Sequence, residues 1–561
     1  MRIAWAVALG LVFGSAHVAS AAVFDCLSAS GKQGQTCLAA YTKAVDACRK
    51  APDAACEAEL RAEPGPLTEL LGENDAPIAD ACTEADAETL GYLGVDDVQI
   101  RIDAACVDFA EDALALAYAD DLASLDPGLL RCQRAVAKDL ARLRAQTVKL
   151  FGRGCFLKTA KGKKPCNREK RDAAFDRLQG AARKQVAKRC KTSYDPLELG
   201  PLDDLVAATA THARHFAIQV FPPNDLGPTG TFGPHPIGVT TLALADESRT
   251  DVAGTGPRPV VTEVFYPTTG AATAGVPRDV VTVLGVPITE TPAYRDVDRA
   301  SGEFPLVVFS HGNEGIRIQS LFLAFHLASH GYVVASPDHH GNTFIDDLAG
   351  IDDGFSAVNR PLDMSFLIDE MLALDAAPSG RFAGGIDADR IGAAGHSFGG
   401  YTVFALAAQA PGTPPPDPRV KAILPQAPAA PFEDDFFAAI GIPVLIMGGS
   451  IDGTTPFATN QQRPFDLLPS GAPVVGLARL RNAGHFTFSN YCDVDRELLG
   501  FLGGFAEACQ PRHLPWRYAH EIANHLALNF FDAVLRDDAA ALGRLQEAVD
   551  GTIDDLDLTL K

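Results

Sequence analysis

The sequence contains no CxxC pair, no internal repeat and, beyond its first residues, no run near the roughly 18 consecutive apolar residues that a membrane-spanning helix needs. The first absence argues against a structural zinc site, which draws on clustered cysteines and histidines; the last argues against membrane helices. Positive charge is scarce as well. With 48 Lys and Arg against 71 Asp and Glu, the net charge is −23, a field that repels polyanions and disfavours nucleic acid or an anionic membrane as partner of the whole molecule.

What the chain does have is length: 561 residues, 47% of them hydrophobic, which suits a large catalytic core with a smaller unit attached. Its start reads as an export signal over residues 1–22. Arg2 supplies the positive charge, Ile3 to Phe13 the apolar stretch, and Ala19-Ser20-Ala21 the small-residue site, with cleavage near Ala21 or Ala22. Ten of the twelve cysteines fall between Cys26 and Cys190, and Cys492 and Cys509 lie near the end. Scattered cysteines behind an export signal predict disulfides and an oxidising compartment, periplasmic or extracellular.

Residues 23–194 are rich in helix formers at helical spacing and predict a cysteine-rich helical domain. Cys37 and Cys48 share one helical face but lie roughly 16 Å apart along the axis, so they must bridge to other helices. Cys132, Cys155, Cys166 and Cys190 suggest a sharper reading: in an antiparallel hairpin, facing residues have position numbers of constant total, and the pairs 155/166 and 132/190 agree to within one residue. Cys155–Cys166 and Cys132–Cys190 are therefore the expected bridges, with the turn at Lys158 to Pro165. The basic run from Lys158 to Lys191 reads as the solvated face of a helix pair. Residues 195–230, with Pro-Pro-Asn-Asp and Gly-Pro-Thr-Gly, read as a linker.

From 231 to 561, short β-rich runs alternate with helical segments, the pattern of a mostly parallel sheet covered on both faces. Eight strands are expected: Val239 to Ala245, Val260 to Tyr266, Leu306 to Phe309, Tyr332 to Ala335, Ile391 to Ala394, Ala422 to Leu424, Val444 to Met447 and Val475 to Leu480. The first two have no helix between them and should pair antiparallel.

One of these strands runs into IGAAGHSFGG, ahead of a helical run from Tyr401. This is a nucleophile elbow, a turn so tight that only Gly395 and Gly399 fit two places either side of Ser397. It would lift the Ser397 hydroxyl above the sheet, with the Phe398 N–H facing a developing oxyanion. A serine hydroxyl needs a base, and the base a carboxylate. In the order serine, acid, histidine, the loops after later strands offer Asp452 and His485. Rivals are Glu433, Asp434 and Asp435 for the acid, and His326, His330, His520 and His525 for the histidine. A second oxyanion donor is expected in Ser310-His311-Gly312-Asn313, at the Asn313 N–H. His339 and His340, after the fourth strand, are candidates to line the pocket. A Cys492–Cys509 bridge would close about 17 residues and steady the His485 loop by roughly 3 kcal/mol.

The stretches PLVVFSHGNEG, YVVASPDHHGNT, NRPLDMSFLIDEML, DADRIGAAGHSFGGYT, PVLIMGGSIDGTTPF and NAGHFTF resemble bacterial dienelactone hydrolases and the secreted platelet-activating-factor acetylhydrolases of lipase-like type. The resemblance implies an α/β-hydrolase fold, a triad of Ser397, Asp452 and His485, oxyanion donors at Phe398 and Asn313, and no cofactor. The acetylhydrolases carry their acid after the sixth strand, where this chain has Pro425-Gln426-Ala427-Pro428, so the acid position follows the dienelactone hydrolases. Those enzymes use a cysteine nucleophile, so lactone specificity does not transfer. The expected function is an exported serine esterase acting on a small-molecule or lipid-like ester. The alternatives are a lipase, polyesterase or acyltransferase with the same triad, or a surface-binding protein with a vestigial hydrolase domain.

Overall fold

The computed structural model describes residues 21–561 except 51–53, 63–64, 73–74, 90–91, 93, 120–121, 123–124, 161–165, 192–193, 222–225, 411, 494–507 and 512. The export signal lies outside the described residues, as does most of the expected Lys158–Pro165 turn.

The N-terminal region is helical, built on five long helices: α1 (Ala21–Lys50), α2 (Val95–Ala117), α3 (Pro127–Phe151), α4 (Arg168–Cys190) and α5 (Leu202–Val220). On α1, Cys26, Cys37 and Cys48 recur every eleven residues, and eleven residues overshoot three turns by only about 20°. They therefore form one stripe, which bridges out to Cys82, Cys106 and Cys56 respectively. Cys132–Cys190 ties α3 to α4, and Cys155–Cys166 closes the chain between them.

The 195–230 stretch, read from its proline and glycine content as a linker, contains a long helix. It holds α5, whose Leu205, Val206, Ala210, Phe216 and Val220 are buried at helical spacing. The turn residues only bracket it: Pro201 precedes its first turn, and the described part of the Gly-Pro-Thr-Gly stretch forms a short turn of helix after it.

Beyond, the described residues form one sheet of ten strands rather than eight. In chain order the twelve strands are β1 (Ile237–Thr250), β2 (Pro257–Pro267), β3 (Val280–Val283), β4 (Val286–Glu290), β5 (Ala293–Arg295), β6 (Phe304–Ser310), β7 (Val333–Pro337), β8 (Ile386–His396), β9 (Val420–Gln426), β10 (Val444–Gly449), β11 (Val475–Leu480) and β12 (Leu556–Leu560). The spatial order is β12-β11-β10-β9-β8-β6-β7-β2-β1-β5, with β3 and β4 a separate hairpin. Pairing from β7 through β6, β8, β9 and β10 to β11 is parallel, whereas β1–β2, β2–β7 and β11–β12 are antiparallel. The two added strands are edges: β5 has three residues, and β12 alternates buried and exposed positions as a one-sided strand does.

The central strands are buried on both faces. In β6, Leu306 and Val308 pack with Met364, Leu367 and Phe404 on one side. Val307 and Phe309 join a core on the other side that contains Phe530, Phe531 and residues of the helical region. This second core runs through α5 and the helix Trp516–Leu535, so the helical region shares apolar packing with the back of the sheet. Ion pairs reinforce the junction: Arg171 meets Asp554 at 2.5 Å, and Arg214 pairs with Asp555 just before β12.

Burial pushes His215, His339 and His525 each down to about 4, with the charges of Arg214, Arg360 and Arg544 respectively adding to the effect. The unfolded chain protonates histidine near 6.5. Between those values the folded state binds fewer protons than the unfolded state, so stability rises with pH across the window. The melting temperature is accordingly expected to fall between pH 6.5 and pH 4, with net proton uptake on unfolding. A melting temperature constant over that range would contradict the assignment.

Candidate functional site

Strand β8 ends in the buried run Ile391-Gly-Ala-Ala-Gly-His396, and the helix Phe398–Ala407 starts two residues later. Ser397 lies between them at φ 57° and ψ −115°, a strained conformation that persists only where surroundings enforce it. A Cβ on Gly395 would come 2.3 Å from the Gly399 carbonyl oxygen, and one on Gly399 would come 1.8 Å from the Ser310 carbonyl oxygen. Both positions are therefore restricted to glycine by the crossing of the elbow and the end of β6.

Ser397 Oγ lies 2.9 Å from His485 Nε2, and His485 Nδ1 lies 2.9 Å from Asp452 Oδ2. Asp452 and His485 are buried, and Ser397 is partly exposed. The Asp452 carboxylate also accepts from the N–H groups of Thr454 at 2.9 Å and Thr455 at 2.7 Å. With Nδ1–H donating to the carboxylate, Nε2 is left to accept the serine proton, the tautomer general-base catalysis requires.

The rival residues lie elsewhere. Asp434 pairs with Arg463, His520 stacks on Phe322, and His525 meets Thr229 Oγ1.

The loop after β6 passes directly over the serine. A Cβ on Gly312 would fall 3.3 Å from Ser397 Cβ. The Gly312 N–H is already committed to Gln319 Oε1 at 2.9 Å. The Phe398 N–H opens a helix, where no intrahelical acceptor exists.

Sequence reasoning missed two sets of residues that organise these parts. Gln319 accepts from Gly312 and donates Nε2–H to His396 Nδ1 at 2.8 Å. His396 must then carry its proton on Nε2, which donates to the His485 carbonyl at 3.0 Å. One hydrogen-bonded chain thus joins the Gly312 loop to the backbone of His485. His396 was visible as the residue before Ser397, but nothing in one dimension marks its partner.

The second set lies beneath. Asp363, fully buried, accepts from Arg258 Nε at 2.8 Å and His339 Nδ1 at 3.0 Å, and Arg249 Nη2 forms an ion pair with it at 2.8 Å. Burial opposes its ionisation, but the bonds from His339 and Arg258 outweigh that and hold the carboxyl below the usual range. His339 is therefore not at a pocket wall. It is fully buried and its Nε2 meets Ser310 Oγ at 2.9 Å. His340 is half-buried, with its ring 3.8 Å from Asp346. Arg360, also fully buried, donates to the carbonyls of His311 and Gly312 and lies 4.6 Å from the Phe398 ring centroid. An Arg and an Asp three places apart in the apolar run around NRPLDMSFLI were the available signal.

With an elbow serine, an acid after β10, a histidine after β11 and this sheet order, the fold is determined. Residues 231–561 have the α/β-hydrolase fold. A family model described as PET hydrolase-like matches residues 291–501. Among curated proteins, a cutinase of Thermobifida alba is 29% identical over 188 residues, covering 34% of this chain and 55% of the relative. A cutinase of Thermobifida cellulosilytica is also 29% identical over 188 residues, covering 34% of this chain and 63% of the relative. A cutinase of Thermobifida fusca shares the same identity and length, covering 34% and 51%. The α/β-hydrolase chain thus spans less than two thirds of these relatives' length, and the family match begins after the helical region, at the end of β4.

If the Gln319 link positions His485, then Gln319→Leu should lower kcat on a soluble ester about tenfold to a hundredfold with little change in KM, and Gln319→Glu should restore part of it. A loss carried by KM alone would refute the positioning role.

Proposed function

We propose that the protein is an exported hydrolase of carboxylic esters, with Ser397 as nucleophile, His485 as general base and Asp452 as its orienting acid. What supports the reading is the continuous contact from Ser397 Oγ through His485 to Asp452 on a strained elbow. His485 takes the serine proton as Oγ attacks the ester carbonyl, and Asp452 stabilises the imidazolium. The amides of Phe398 and Asn313 hold the oxyanion. His485 then protonates the departing alcohol, and water, activated by the same histidine, frees the acid from the acyl-serine. Six disulfides use all twelve cysteines, which supports an oxidising compartment. Among the described residues no helix is long and apolar enough to cross a membrane.

The experiment is covalent labelling of the folded protein with a fluorophosphonate, read by peptide mass spectrometry, alongside hydrolysis of p-nitrophenyl esters of increasing acyl length. Labelling at Ser397 with turnover is the expected result. An unlabelled Ser397 with no turnover would favour a binding protein.

One observation favours an ester presented on a surface, as the cutinase and PET hydrolase-like matches also do. The segment after β7 carries Ile345, Leu348 and Phe355 at 39%, 61% and 71% exposure. It starts beside the oxyanion loop, where the Phe344 N–H donates to the Gly315 carbonyl and the Asn342 side chain to that of Asn313. Leu348→Ser with Phe355→Ser is expected to lower the rate on a suspended polyester severalfold while leaving p-nitrophenyl butyrate hydrolysis unchanged. Equal losses on both substrates would reject a surface-docking role for the segment.

A further inference from the structure

Far from Ser397 in sequence, α1, α2 and α3 leave a groove of about 840 Å³ between them, with Phe216 of α5 at its base, within the roughly 300–1,000 Å³ typical of ligand sites. Its deep part is apolar: Leu38, Leu114, Val148 and Phe216 line it and are themselves at most 7% exposed. Its rim is cationic, carrying exposed Lys43, Lys138, Lys149 and Arg153. Asp46 is the lining carboxylate, and it already accepts from the Tyr118 hydroxyl. In a chain of net charge −23, such a concentration of positive charge marks the groove off from the rest of the surface.

Arg144 reaches into this groove at 6% exposure. Its one hydrogen bond among the described residues is from Nη1 to the Ala113 carbonyl at 3.3 Å, and no described carboxylate lies within ion-pair distance. Burial pushes it down to about 10, and the nearby Tyr118 and Asp46 offset that only in part. A buried guanidinium costs several kcal/mol unless an anion meets it, and its planar donor fork suits a carboxylate. The rim lysines cannot supply one.

We propose that the groove binds a long-chain carboxylate, with the alkyl chain along Leu38, Val148 and Phe216 and the head group on Arg144. An acidic protein segment fits less well, because its side chains would meet the rim before Arg144 and leave the apolar floor unfilled. Ester hydrolysis would supply such an anion, but the groove's chemistry does not depend on that reading.

The test is calorimetric titration of the full chain, carrying Ser397→Ala so that the acyl site cannot turn over, with dodecanoate, butanoate and dodecanol. Saturable binding of dodecanoate is expected, with butanoate and dodecanol at least tenfold weaker. Arg144→Met should weaken dodecanoate at least tenfold, and Ala141→Trp, at an exposed position lining the groove, should block it, while both variants keep the parent's p-nitrophenyl ester activity on the Ser397 background. Dodecanoate binding that survives both substitutions, equal affinity for dodecanol, or saturable binding of an oligoglutamate peptide in place of dodecanoate would overturn the proposal.

Discussion

Ser397→Ala is expected to lower kcat by about four to six orders of magnitude with KM for a p-nitrophenyl ester nearly unchanged. In the proposed mechanism the Ser397 oxygen is the atom that becomes bonded to the acyl group, and the amides of Phe398 and Asn313 proposed to hold the oxyanion do not depend on it. Some acceleration over water should persist from those amides. Because serine and histidine act as a unit, adding His485→Ala should cost little more. Asp452→Asn is a milder lesion of the same unit, since it disturbs the tautomer of His485 and leaves the nucleophile in place. A Ser397→Ala protein retaining more than about one hundredth of the parent rate would remove the serine mechanism, whatever the elbow geometry. Steady-state kinetics on purified protein, with fluorophosphonate titration of active sites to exclude contamination, decides the matter.

The second large effect is on stability. Asp363→Asn is expected to destabilise the α/β region by about 3–5 kcal/mol, the usual consequence of removing one member of a buried ion cluster. Arg249, Arg258 and His339 all converge on this carboxylate; Arg249 also pairs with Asp246 at 2.6 Å and Arg258 with Asp353 at 3.3 Å, whereas His339 has no second acid among the described residues. The melting temperature should fall by on the order of 10 °C. The sign with pH follows from the depressed folded-state value of Asp363. Its contribution is present in full above the unfolded carboxylate value near 3.9 and disappears as pH falls through the folded value, so the deficit of the variant should be full at neutral pH and shrink in acid. Arg258→Met in the same chain should recover part of the loss, because an unpaired buried cation is then removed. A deficit below 1 kcal/mol at pH 7 would mean that the cluster contributes no net stability.

The two predictions probe different kinds of information. The order Ser397, Asp452, His485 was legible because each residue follows an apolar strand, and strand ends can be read along the chain. The structure brings those three side chains into hydrogen-bond contact. The Gln319–His396 chain and the Arg360–Asp363 layer were not legible, because each joins residues separated by dozens of positions through buried polar contacts that leave no periodic trace. His339 shows the same limit. Its place after a strand at the sheet edge suggested a pocket wall, yet Asp363 and Ser310 give its two ring nitrogens partners in the interior.

In the helical region, position arithmetic sufficed for Cys132–Cys190 and Cys155–Cys166, since hairpin geometry is a local rule, but α5 was hidden by the turn residues at its ends. By itself, the sequence determined the class of the sheet, the elbow and the order of the residues around it, because strand pattern, tight-turn sterics and loop order are properties of neighbours in the chain. The tertiary structure alone decided which buried groups hold the elbow in place, how the helical layer joins the back of the sheet and where a buried arginine without an ion-pair partner among the described residues meets an apolar groove. Those depend on which distant segments share a desolvated space, and burial makes their polar pairings matter.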